Sequence, residues 1–545
     1  MKSTMQESKL SVPFIFRHGE MLYGNSKILN FDGENVVEFT YTQVAKRAHA
    51  LSGALRDLGV GKDDRVATFC FNHNQHLEAY LAIPSMGAIL HTLNVRLFAD
   101  QLEFIVDDAQ DKVIIADGIV LGLLLRVLGR STCVRDVIIV GGYDHSAIEA
   151  FGNTSNIQFH EYEALIANGV DVGHFVEPDD ENDAAAMCYT SGTTGKPKGV
   201  VYSHRSTWLH SIAASSSASL GLSTMDRCLV IVPMFHANAW GIPYAAWMVG
   251  ADMIMPGRFL QAAPLARMIS ELAPTVASGV PVIWNDLLHY AKDNEVDFSS
   301  VRILSAGGSS VPRSLIEGFR DRYNISLVQG WGMTETSPLC TLAIPPVGTD
   351  PERAIEYQVT AGRPVAGVEI RIVDAEGIVA PNDGTTLGEI QVSGPWIASS
   401  YYKGVNPESF DGGWLKTGDM GTIDAQGYLR ITDRTKDVIK SGGEWISSVE
   451  LENAIMSHPL VYEAAVIGVP DSKWDERPLA CVVVAPGSEL SATELSNYIL
   501  KMVAKWWLPE RWSFVDEIPK TSVGKFDKKV LRNLYSQEKL AIETI

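Results

Sequence analysis

The 545-residue sequence is poor in cysteine and has no long apolar run, and each shortage excludes a class of protein. Its six cysteines, at positions 70, 133, 188, 228, 340 and 481, lie far apart and form no CxxC pair. We therefore expect reduced thiols in a cytoplasmic protein and no disulfide framework. The longest apolar runs, Ile119–Leu125 and Ala239–Ala251, fall short of the roughly 20 residues of a membrane-spanning helix. The polar stretch Met1–Leu10 predicts no signal peptide.

Basic residues are also scarce, because 45 lysines and arginines stand against 65 acidic residues and the net charge is −20. This balance argues against a nucleic-acid-binding surface, which would be basic. The contents of 46% apolar and 20% charged residues are typical of a globular protein with a large core. The length corresponds to roughly three or four domain-sized units.

Strand-like and helical patterns alternate in the first part of the chain. Thr40 and Gln43 form the signature of a capping box before a helical apolar face. The apolar runs Val66–Phe71, Lys112–Ala116 and Val137–Val140 are typical of buried strands. This alternation predicts a layered α/β fold.

The most informative stretch is Tyr189–Gly199, which reads Y-T-S-G-T-T-G-K-P-K-G. Its glycines, hydroxyls and ammonium groups suit a polyphosphate. The stretch is not a Walker A loop, because only two residues separate Gly192 from Gly195 and Pro197 follows Lys196. The alternative is a solvated Ser/Thr/Gly turn, which this ordered string makes the weaker interpretation. The candidate phosphate-binding residues are Thr190, Ser191, Gly192, Thr193, Thr194, Gly195, Lys196 and Lys198.

This string resembles the phosphate loop of the AMP-forming acid-activating enzymes, which include acyl-CoA synthetases, firefly-type luciferases and peptide-synthetase adenylation domains. The resemblance runs from about residue 40 to about residue 530 over six ordered strings. It implies an α/β fold with a large N-terminal domain of layered subdomains (1–432, divided into about 1–180 and 181–432). It also implies a small mobile C-terminal α+β domain (433–545) that turns on a hinge at Asp433.

The string Val328–Thr336, V-Q-G-W-G-M-T-E-T, resembles the adenine- and metal-binding segment of these enzymes. A flat ring can stack on adenine, Thr334 can bond a phosphate oxygen, and Glu335, with Thr190, can hold Mg²⁺. Related enzymes usually carry Tyr where this chain has Trp331, so we expect the stacking to survive and the phenol's hydrogen bond to be lost. The resemblance also assigns nucleotide contacts to Gly308, Gln329, Gly330, Trp331, Gly332 and Met333.

Two later strings resemble the ribose and hinge motifs. Gly413–Asp419 ends in a carboxylate, which accepts hydrogen bonds from vicinal hydroxyls. Asp433 begins D-R-T-K-D and would be the pivot, with Arg434 as a second ribose or phosphate contact. A solvated turn is the alternative for this charged string. The string Val438–Trp445 also matches, which implies nucleotide contacts at Lys436, Lys440 and Trp445 and a CoA path along Lys440, Gly442, Gly443 and Glu444.

The tail carries P-K-T-S-V-G-K, and the resemblance implies that its last residue, Lys525, enters the site during adenylation. The acid and the triphosphate are both anions, so their approach needs opposing positive charge. The implied catalytic residues are Lys525, Thr334, Glu335 and His236. The chain contains no GxSxG motif, which agrees with chemistry that needs no enzyme nucleophile.

The string Leu229–Gly241 carries His236 and Trp240 after a buried apolar run. Each side chain taken alone is equally consistent with a core packing role. The resemblance places this loop beside the acyl pocket, with Trp240 as its gate and Ala237, Val280 and Gly307 in its wall. Further small or apolar pocket candidates are Pro281, Gly308, Trp331 and Leu339.

Together these strings imply an ATP-dependent fatty-acid–CoA ligase that uses ATP, Mg²⁺ and CoA. The expected partners are these small molecules and a second copy of the chain, with no nucleic acid and no membrane-spanning segment. A short-chain or aryl-acid CoA ligase and a luciferase-like oxidase remain alternatives on the same fold. A non-catalytic nucleotide-binding regulator would show a broken site, yet Thr194, Glu335, Asp419, Arg434 and Lys525 are all present.

Overall fold

The computed structural model describes residues 1–152, 155–169, 176–190, 196–374, 376–434, 436–442, 444–471, 473–485, 487–521 and 526–545. Some of its α-helices begin at a side-chain cap: the capping box of Thr40 and Gln43 starts the second helix, as predicted, and the Ser447 hydroxyl accepts from the Glu450 N–H at the start of another. In chain order the helices are α1 Val12–Leu22, α2 Tyr41–Asp57, α3 Asn74–Ser85, α4 Ala99–Ala109, α5 Leu121–Leu128, α6 His145–Gly152, α7 Tyr162–Asn168, α8 His204–Ser215, α9 Ile242–Val249, α10 Ala262–Leu272, α11 Pro281–Asp293, α12 Arg313–Tyr323, α13 Pro351–Gln358, α14 Ser448–Met456, α15 Ala492–Ile499 and α16 Lys528–Ser536.

The strands form four sheets. In chain order they are β1 Lys27–Phe31, β2 Val36–Thr40, β3 Arg65–Phe69, β4 Ile89–Thr92, β5 Asp111–Asp117, β6 Asp136–Val140, β7 Gln158–Glu161, β8 Ala184–Tyr189, β9 Gly199–Ser203, β10 Arg227–Leu229, β11 Asp252–Met255, β12 Val276–Gly279, β13 Ile303–Ala306, β14 Ser326–Trp331, β15 Thr341–Leu342, β16 Arg363–Pro364, β17 Glu369–Val373, β18 Gly388–Ser393, β19 Phe410–Asp411, β20 Trp414–Ile423, β21 Leu429–Arg434, β22 Ile439–Ser441, β23 Glu444–Ile446, β24 Val461–Asp471, β25 Asp475–Val484, β26 Arg511–Phe514 and β27 Glu543–Thr544.

The first sheet has seven strands in the order β7-β6-β5-β3-β4-β8-β9. All neighbours are parallel except β8 and β9, which form an antiparallel pair. Continuous apolar burial along β5 and β6 suits a parallel sheet covered by helices on both faces. Because β8 and β9 complete this sheet, the predicted subdomain boundary between residues 180 and 181 falls inside it.

The second sheet has nine strands in the order β16-β15-β14-β13-β12-β10-β11-β1-β2. Its central neighbours from β14 to β1 are parallel, and antiparallel strands lie at both edges. A shared core joins the two sheets, where the rings of Tyr41 and Trp247 stack with centroids 4.0 Å apart. In such sheets the loops at the carboxyl ends of the strands form the binding crevice.

The third sheet, β17-β18-β20-β19 with β21 on β20, is antiparallel and leads into the last part of the chain. The fourth sheet, β23-β22-β25-β26-β27 with β24 on β25, lies entirely after residue 433. It packs with α14, α15 and α16 around two small cores. An α/β body followed by a smaller C-terminal α+β unit confirms the predicted fold class.

Two simpler expectations concern membranes and thiols. Within the described ranges, the structure contains no helix with the length and apolarity to cross a membrane. All six cysteines are free thiols, five of them buried and Cys133 half-buried.

Candidate active site

The carboxyl ends of β12, β13 and β14 open onto one cavity of about 1290 Å³ that also reaches the end of β8 and the small domain. Most of the predicted site residues line it: Thr190, Lys196, Lys198, His236, Ala237, Trp240, Val280, Pro281, Gly307, Gly308, Gln329, Gly330, Trp331, Gly332, Met333, Thr334, Glu335, Leu339, Asp419, Asp433, Arg434 and Lys436. Lys440 and Gly442 are not among its lining residues. Residues 191–195, Gly443 and Lys525 lie outside the described residues, as do the side chains of Glu444 and Trp445.

A hydrogen-bonded trio lines the part of the cavity where the nucleotide is predicted to bind, which we call the nucleotide side. The indole N–H of Trp331 donates to Asp419 Oδ2 at 2.9 Å. The guanidinium of Arg434 lies 3.2 Å from the other oxygen, Oδ1. The indole of Trp331 therefore supplies a hydrogen-bond donor of its own, where the sequence predicted only the loss of the phenol's hydrogen bond. The predicted ribose carboxylate is held from two sides, and its remaining lone pairs can accept from hydroxyls.

Glu335 lies beside this trio in a short 3₁₀ turn, Thr334–Thr336, that follows β14. Its carboxylate is only 5% exposed and accepts a hydrogen bond of 2.6 Å from the Tyr401 hydroxyl. Burial and the neighbouring Glu335 raise the pKa of Tyr401, so this phenol remains a donor. A second phenol, Tyr202, donates to the Thr334 carbonyl at 2.7 Å. These two tyrosines fix the turn that carries Thr334 and Glu335, two of the four predicted catalytic residues.

Thr190 and Lys198, which lie on either side of the undescribed part of the phosphate-loop segment, are hydrogen-bonded to each other. The Thr190 N–H donates to the Lys198 carbonyl, and the Lys198 N–H donates to the Thr190 hydroxyl. The ammonium group of Lys198 lies 4.6 Å from the centroid of the Tyr401 ring, and that of Lys196 lies 4.9 Å from the Phe104 ring. Lys198 therefore supplies positive charge close to Glu335 and its tyrosine partner.

The part of the cavity where the acyl chain is predicted to bind, which we call the acyl side, contains an unusual backbone turn. Ala237, Asn238, Ala239 and Trp240 have φ values of 42°, 52°, 51° and 55°, so four consecutive L-residues occupy the left-handed region. Each such residue costs roughly 1–2 kcal/mol. We call Ala237–Trp240 the left-handed turn. Buried contacts must stabilise it, and the Asn238 side-chain oxygen accepts from the Cys188 thiol at 3.2 Å and lies near two further hydroxyls.

The left-handed turn places the Trp240 ring against Gly307, at the junction of the acyl and nucleotide sides. A Cβ added at Gly307 would lie 3.2 Å from the Trp240 ring and 3.1 Å from the Gly330 carbonyl. Glycine at position 307 therefore permits the close approach of ring and strand end. Beyond this contact the lining residues are mostly small or apolar: Ala214, Leu220, Ile242, Val280 and Leu339, with the hydrogen-bonded hydroxyls of Ser278 and Ser305.

The predicted hinge residue is tied to both parts of the chain. The backbone of Asp433 pairs with Met420 in the third sheet, while its carboxylate accepts from the N–H and hydroxyl of Ser448 at 2.7 and 2.5 Å. Lys528 donates to the same hydroxyl and pairs with Glu452 at 2.7 Å. Burial opposes the charge on Lys528, yet Glu452 and Asp433 outweigh it and raise the pKa of that lysine. Lys528 therefore remains positively charged beside the Asp433 carboxylate.

The residues that flank Lys525 are described even though that lysine is not. Lys520 and Phe526 form an isolated antiparallel β-bridge, and the Asp527 N–H donates to the Pro519 carbonyl. Thr521 and Phe526 both line the cavity. The loop that carries the predicted catalytic lysine therefore begins and ends at the wall of the site.

Comparison with known proteins agrees with this geometry. The family model "AMP-binding enzyme" matches residues 23–402, and the model "AMP-binding enzyme C-terminal domain" matches residues 450–525. The chain belongs to the AMP-binding enzyme family.

Relatives within the family match almost the whole chain. A long-chain-fatty-acid–CoA ligase of Thermus thermophilus is 42% identical over 98% of this chain and 97% of its own length. A 3-methylmercaptopropionyl-CoA ligase of Ruegeria pomeroyi is 41% identical over 98% and 99%. Among solved structures, the anthranilate CoA ligase AuaEII in complex with anthranoyl-AMP has a TM-score of 0.86 at 26% identity and covers 98% of both chains. This AMP-binding enzyme therefore shares sequence and fold with CoA ligases of different acids.

Sequence reasoning missed several residues of this AMP-binding enzyme's site. Tyr401, Tyr202 and Asn238 act through contacts with residues more than 45 positions away along the chain, and no local pattern indicates them. Lys528 was visible only as a charge after the P-K-T-S-V-G-K string. The half-buried position of Lys528 between Glu452 and Asp433 follows from the packing of α16 against β24.

Proposed function

We propose that this protein is an ATP-dependent fatty-acid–CoA ligase that works in two steps. In the first step a carboxylate oxygen of the acid attacks the α-phosphorus of ATP, the bond from that phosphorus to the bridging oxygen breaks, and diphosphate leaves. In the second step the thiolate sulfur of CoA attacks the carbonyl carbon of the acyl-AMP. The bond from that carbon to the phosphate oxygen breaks, and AMP leaves with the electron pair.

One observation carries the proposal: a polar wall suited to a nucleotide and an apolar wall suited to an acyl chain meet inside a single cavity. The Trp331–Asp419 pair lies on the first wall and Trp240 on the second, and Gly307 lies where they join. An acid in the apolar part would present its carboxylate to a nucleotide in the polar part. This proximity is what adenylation requires.

In the first step the residues of this chain bind, orient and neutralise charge. Trp331 stacks on adenine, and Asp419 accepts from the ribose hydroxyls. Lys198, with Lys525 from the tail, offsets the repulsion between the carboxylate and the triphosphate. The hydroxyl of Thr334 supports the phosphate oxygens. No side chain forms a covalent intermediate in this scheme.

Magnesium fits the residues present. Glu335 and Thr190 bring hard oxygen atoms to the same cavity, which are the ligands that Mg²⁺ prefers. When bound, the ion would neutralise phosphate charge. The Tyr401 hydrogen bond holds the Glu335 carboxylate, which would be one of the ligands of the ion, in a fixed orientation.

For the second step we propose that the small domain turns about Asp433. In the present arrangement Thr521 and Phe526 line the cavity, whereas Lys440 and Gly442 do not. This arrangement suits adenylation, since the flanks of Lys525 face the site. Turning would withdraw them and bring the predicted CoA path of Lys440 and Gly442 to the acyl-AMP, as hinge motions in other enzymes do.

The apolar lining of the acyl side and the identity to a long-chain-fatty-acid–CoA ligase support an alkyl acid as the substrate. A short acid is the second candidate, because a 3-methylmercaptopropionyl-CoA ligase is almost as similar. A homodimer and a cytoplasmic location complete the proposal.

The test is a screen of CoA-dependent AMP release with ATP, Mg²⁺ and straight-chain acids from acetate to stearate, together with benzoate and 3-methylmercaptopropionate. We expect the highest kcat/KM with an alkyl acid of hexanoate length or longer. A best rate with 3-methylmercaptopropionate or acetate would replace this proposal by the short-acid candidate. A best rate with benzoate would indicate the aryl-acid alternative, and absence of AMP release with every acid would refute the ligase.

A further inference from the structure

Two hydrogen bonds outside the contacts of Asp433 join the small domain to the large body. On β24, the Tyr462 hydroxyl donates to Asp286 Oδ1 of α11 at 2.5 Å. Burial and this carboxylate raise the pKa of Tyr462, so its hydroxyl stays protonated and donates. The His289 ring, one turn along α11, lies 6.0 Å from the Tyr462 ring. The hydrogen bond from Tyr462 to Asp286 is charge-assisted and half-buried, and charge-assisted hydrogen bonds are about twice as strong as neutral ones.

The second bond reaches the nucleotide side of the cavity. The Asn453 Nδ2 on α14 donates to the Ser310 hydroxyl at 3.0 Å. Ser310 follows the turn of Gly307 and Gly308 at the end of β13, so it lies next to two predicted site residues. Asn453 therefore links the first helix of the small domain to the strand end that faces both substrates.

All four of these side chains are placed at the cavity's edge. Asn453, Ser310 and Tyr462 line it directly, and Asp286 lies between the lining residues Asn285 and Leu288 on α11. The two bonds thus close one wall of the cavity by seating α14 and β24 against the body. The Thr521 and Phe526 flanks of the catalytic-lysine loop line the same cavity from the small domain.

Rotation of the small domain about Asp433 would move both donors relative to their acceptors. Tyr462 and Asn453 lie on elements that begin 15 or more residues after the hinge, and their partners belong to the body. A rigid turn of the small domain therefore separates these donors from their acceptors.

We propose that Tyr462–Asp286 and Asn453–Ser310 form a latch that holds the small domain in the adenylating orientation and must open before thioester formation. The inference rests on the proposed two-step function. It makes Tyr462 and Asn453 positioning residues that touch no reacting atom. Their effect is exerted on the population of one domain orientation, and therefore on one half-reaction.

The test uses Tyr462→Phe in the full chain, with Tyr498→Phe as its matched control. The Tyr498 hydroxyl donates to the Ser457 carbonyl at 3.0 Å within the small domain, so its loss leaves the latch intact. Adenylation is measured by ATP–diphosphate exchange and thioester formation from supplied acyl-AMP and CoA. For Tyr462→Phe we expect adenylation to fall about tenfold, equivalent to about 1.4 kcal/mol, with thioester formation unchanged or faster. Tyr498→Phe should leave the ratio of the two rates unchanged.

Equal losses in both half-reactions, or no change in either, would overturn the latch. Asp286→Ala combined with Tyr462→Phe should add little to either single change, because both remove the same bond. Additive losses would show that the two residues act separately. A readout independent of activity is amide hydrogen exchange, which should become faster in the peptides of α11 and β24 in Tyr462→Phe; unchanged exchange there also contradicts the latch. If the wild-type protein forms acyl-AMP from none of the acids tested, the proposed function itself would be refuted instead.

Discussion

The two sides of the cavity achieve their shape by different means. On the nucleotide side, polar side chains from separate strands hold one another, as Trp331, Asp419 and Arg434 do. On the acyl side, a backbone turn with four positive φ values presents Trp240 to the strand end at Gly307. The first side is organised by pairwise hydrogen bonds, and the second by a conformation that only its surroundings stabilise. Recognition of a constant nucleotide suits the first, and accommodation of an acid suits the second.

The energies of the two sides differ in the same way. A hydrogen bond to a charged group contributes about 1.5–3 kcal/mol, so removal of one partner has a large and local effect on the nucleotide side. Left-handed L-residues cost roughly 1–2 kcal/mol each, so the acyl side depends on burial spread over many contacts. Changes on the two sides should therefore separate cleanly in their effects on ATP and on the acid.

The largest effect is expected from removing positive charge on the nucleotide side. Lys525→Ala should lower the rate of adenylation by about 10²–10³-fold, as the loss of one transition-state donor does in other enzymes. Thioester formation from supplied acyl-AMP should change far less, because the proposed rotation would withdraw the lysine in that step. Both half-reactions are measured on the same preparation. Equal loss in the two, with an unchanged melting temperature, would contradict the role of this lysine.

A smaller effect should follow from Trp331→Phe, which keeps an aromatic face and removes the N–H that donates to Asp419. We expect the Kd for ATP to rise about tenfold, because the ribose carboxylate loses one of its two holding contacts. The KM for the acid should stay constant. Calorimetric titration with ATP measures the Kd, and steady-state rates measure the KM for the acid. An unchanged Kd would mean that Arg434 alone orients the carboxylate.

The smallest effect is expected on the acyl side, from Trp240→Ala. Removal of the ring opens the junction at Gly307, so the KM for the acid or the preferred chain length should change, by about tenfold at most. The Kd for ATP should stay the same, which makes Trp331→Phe and Trp240→Ala controls for each other. If Trp240→Ala changes only ATP binding, the division of the cavity into two sides is wrong.

Local sequence patterns predicted the elements that frame the site. The apolar runs at residues 112–116 and 137–140 correspond to β5 and β6, and the capping box at Thr40 starts α2. Several of the strings with glycine and charged residues lie along the cavity wall because they occupy the end of a strand, as Val328–Thr336 does at β14. These features are determined by residues that are close together in the chain, so a local sequence pattern can predict them.

Contacts between distant residues were not predictable in this way. Trp331 and Asp419 are 88 positions apart, and their bond depends on how the third sheet packs against β14. The left-handed turn contradicts the local preference of alanine and tryptophan for the right-handed region. Only the buried partners of Asn238 explain it. The contacts of Lys528 with Ser448 and Glu452 likewise form only when the small domain is packed.

The left-handed turn also restricts how this enzyme can change its substrate. Valine, isoleucine or threonine at positions 237–240 would bring a branched Cβ into the backbone, so mutant libraries randomised there should yield mainly unfolded protein. Glycine, asparagine and aspartate tolerate that geometry, and they offer little bulk with which to reshape a pocket. Directed evolution toward a different acid therefore has more freedom on α8 and at the strand ends, where Ala214 and Val280 line the cavity from ordinary backbone.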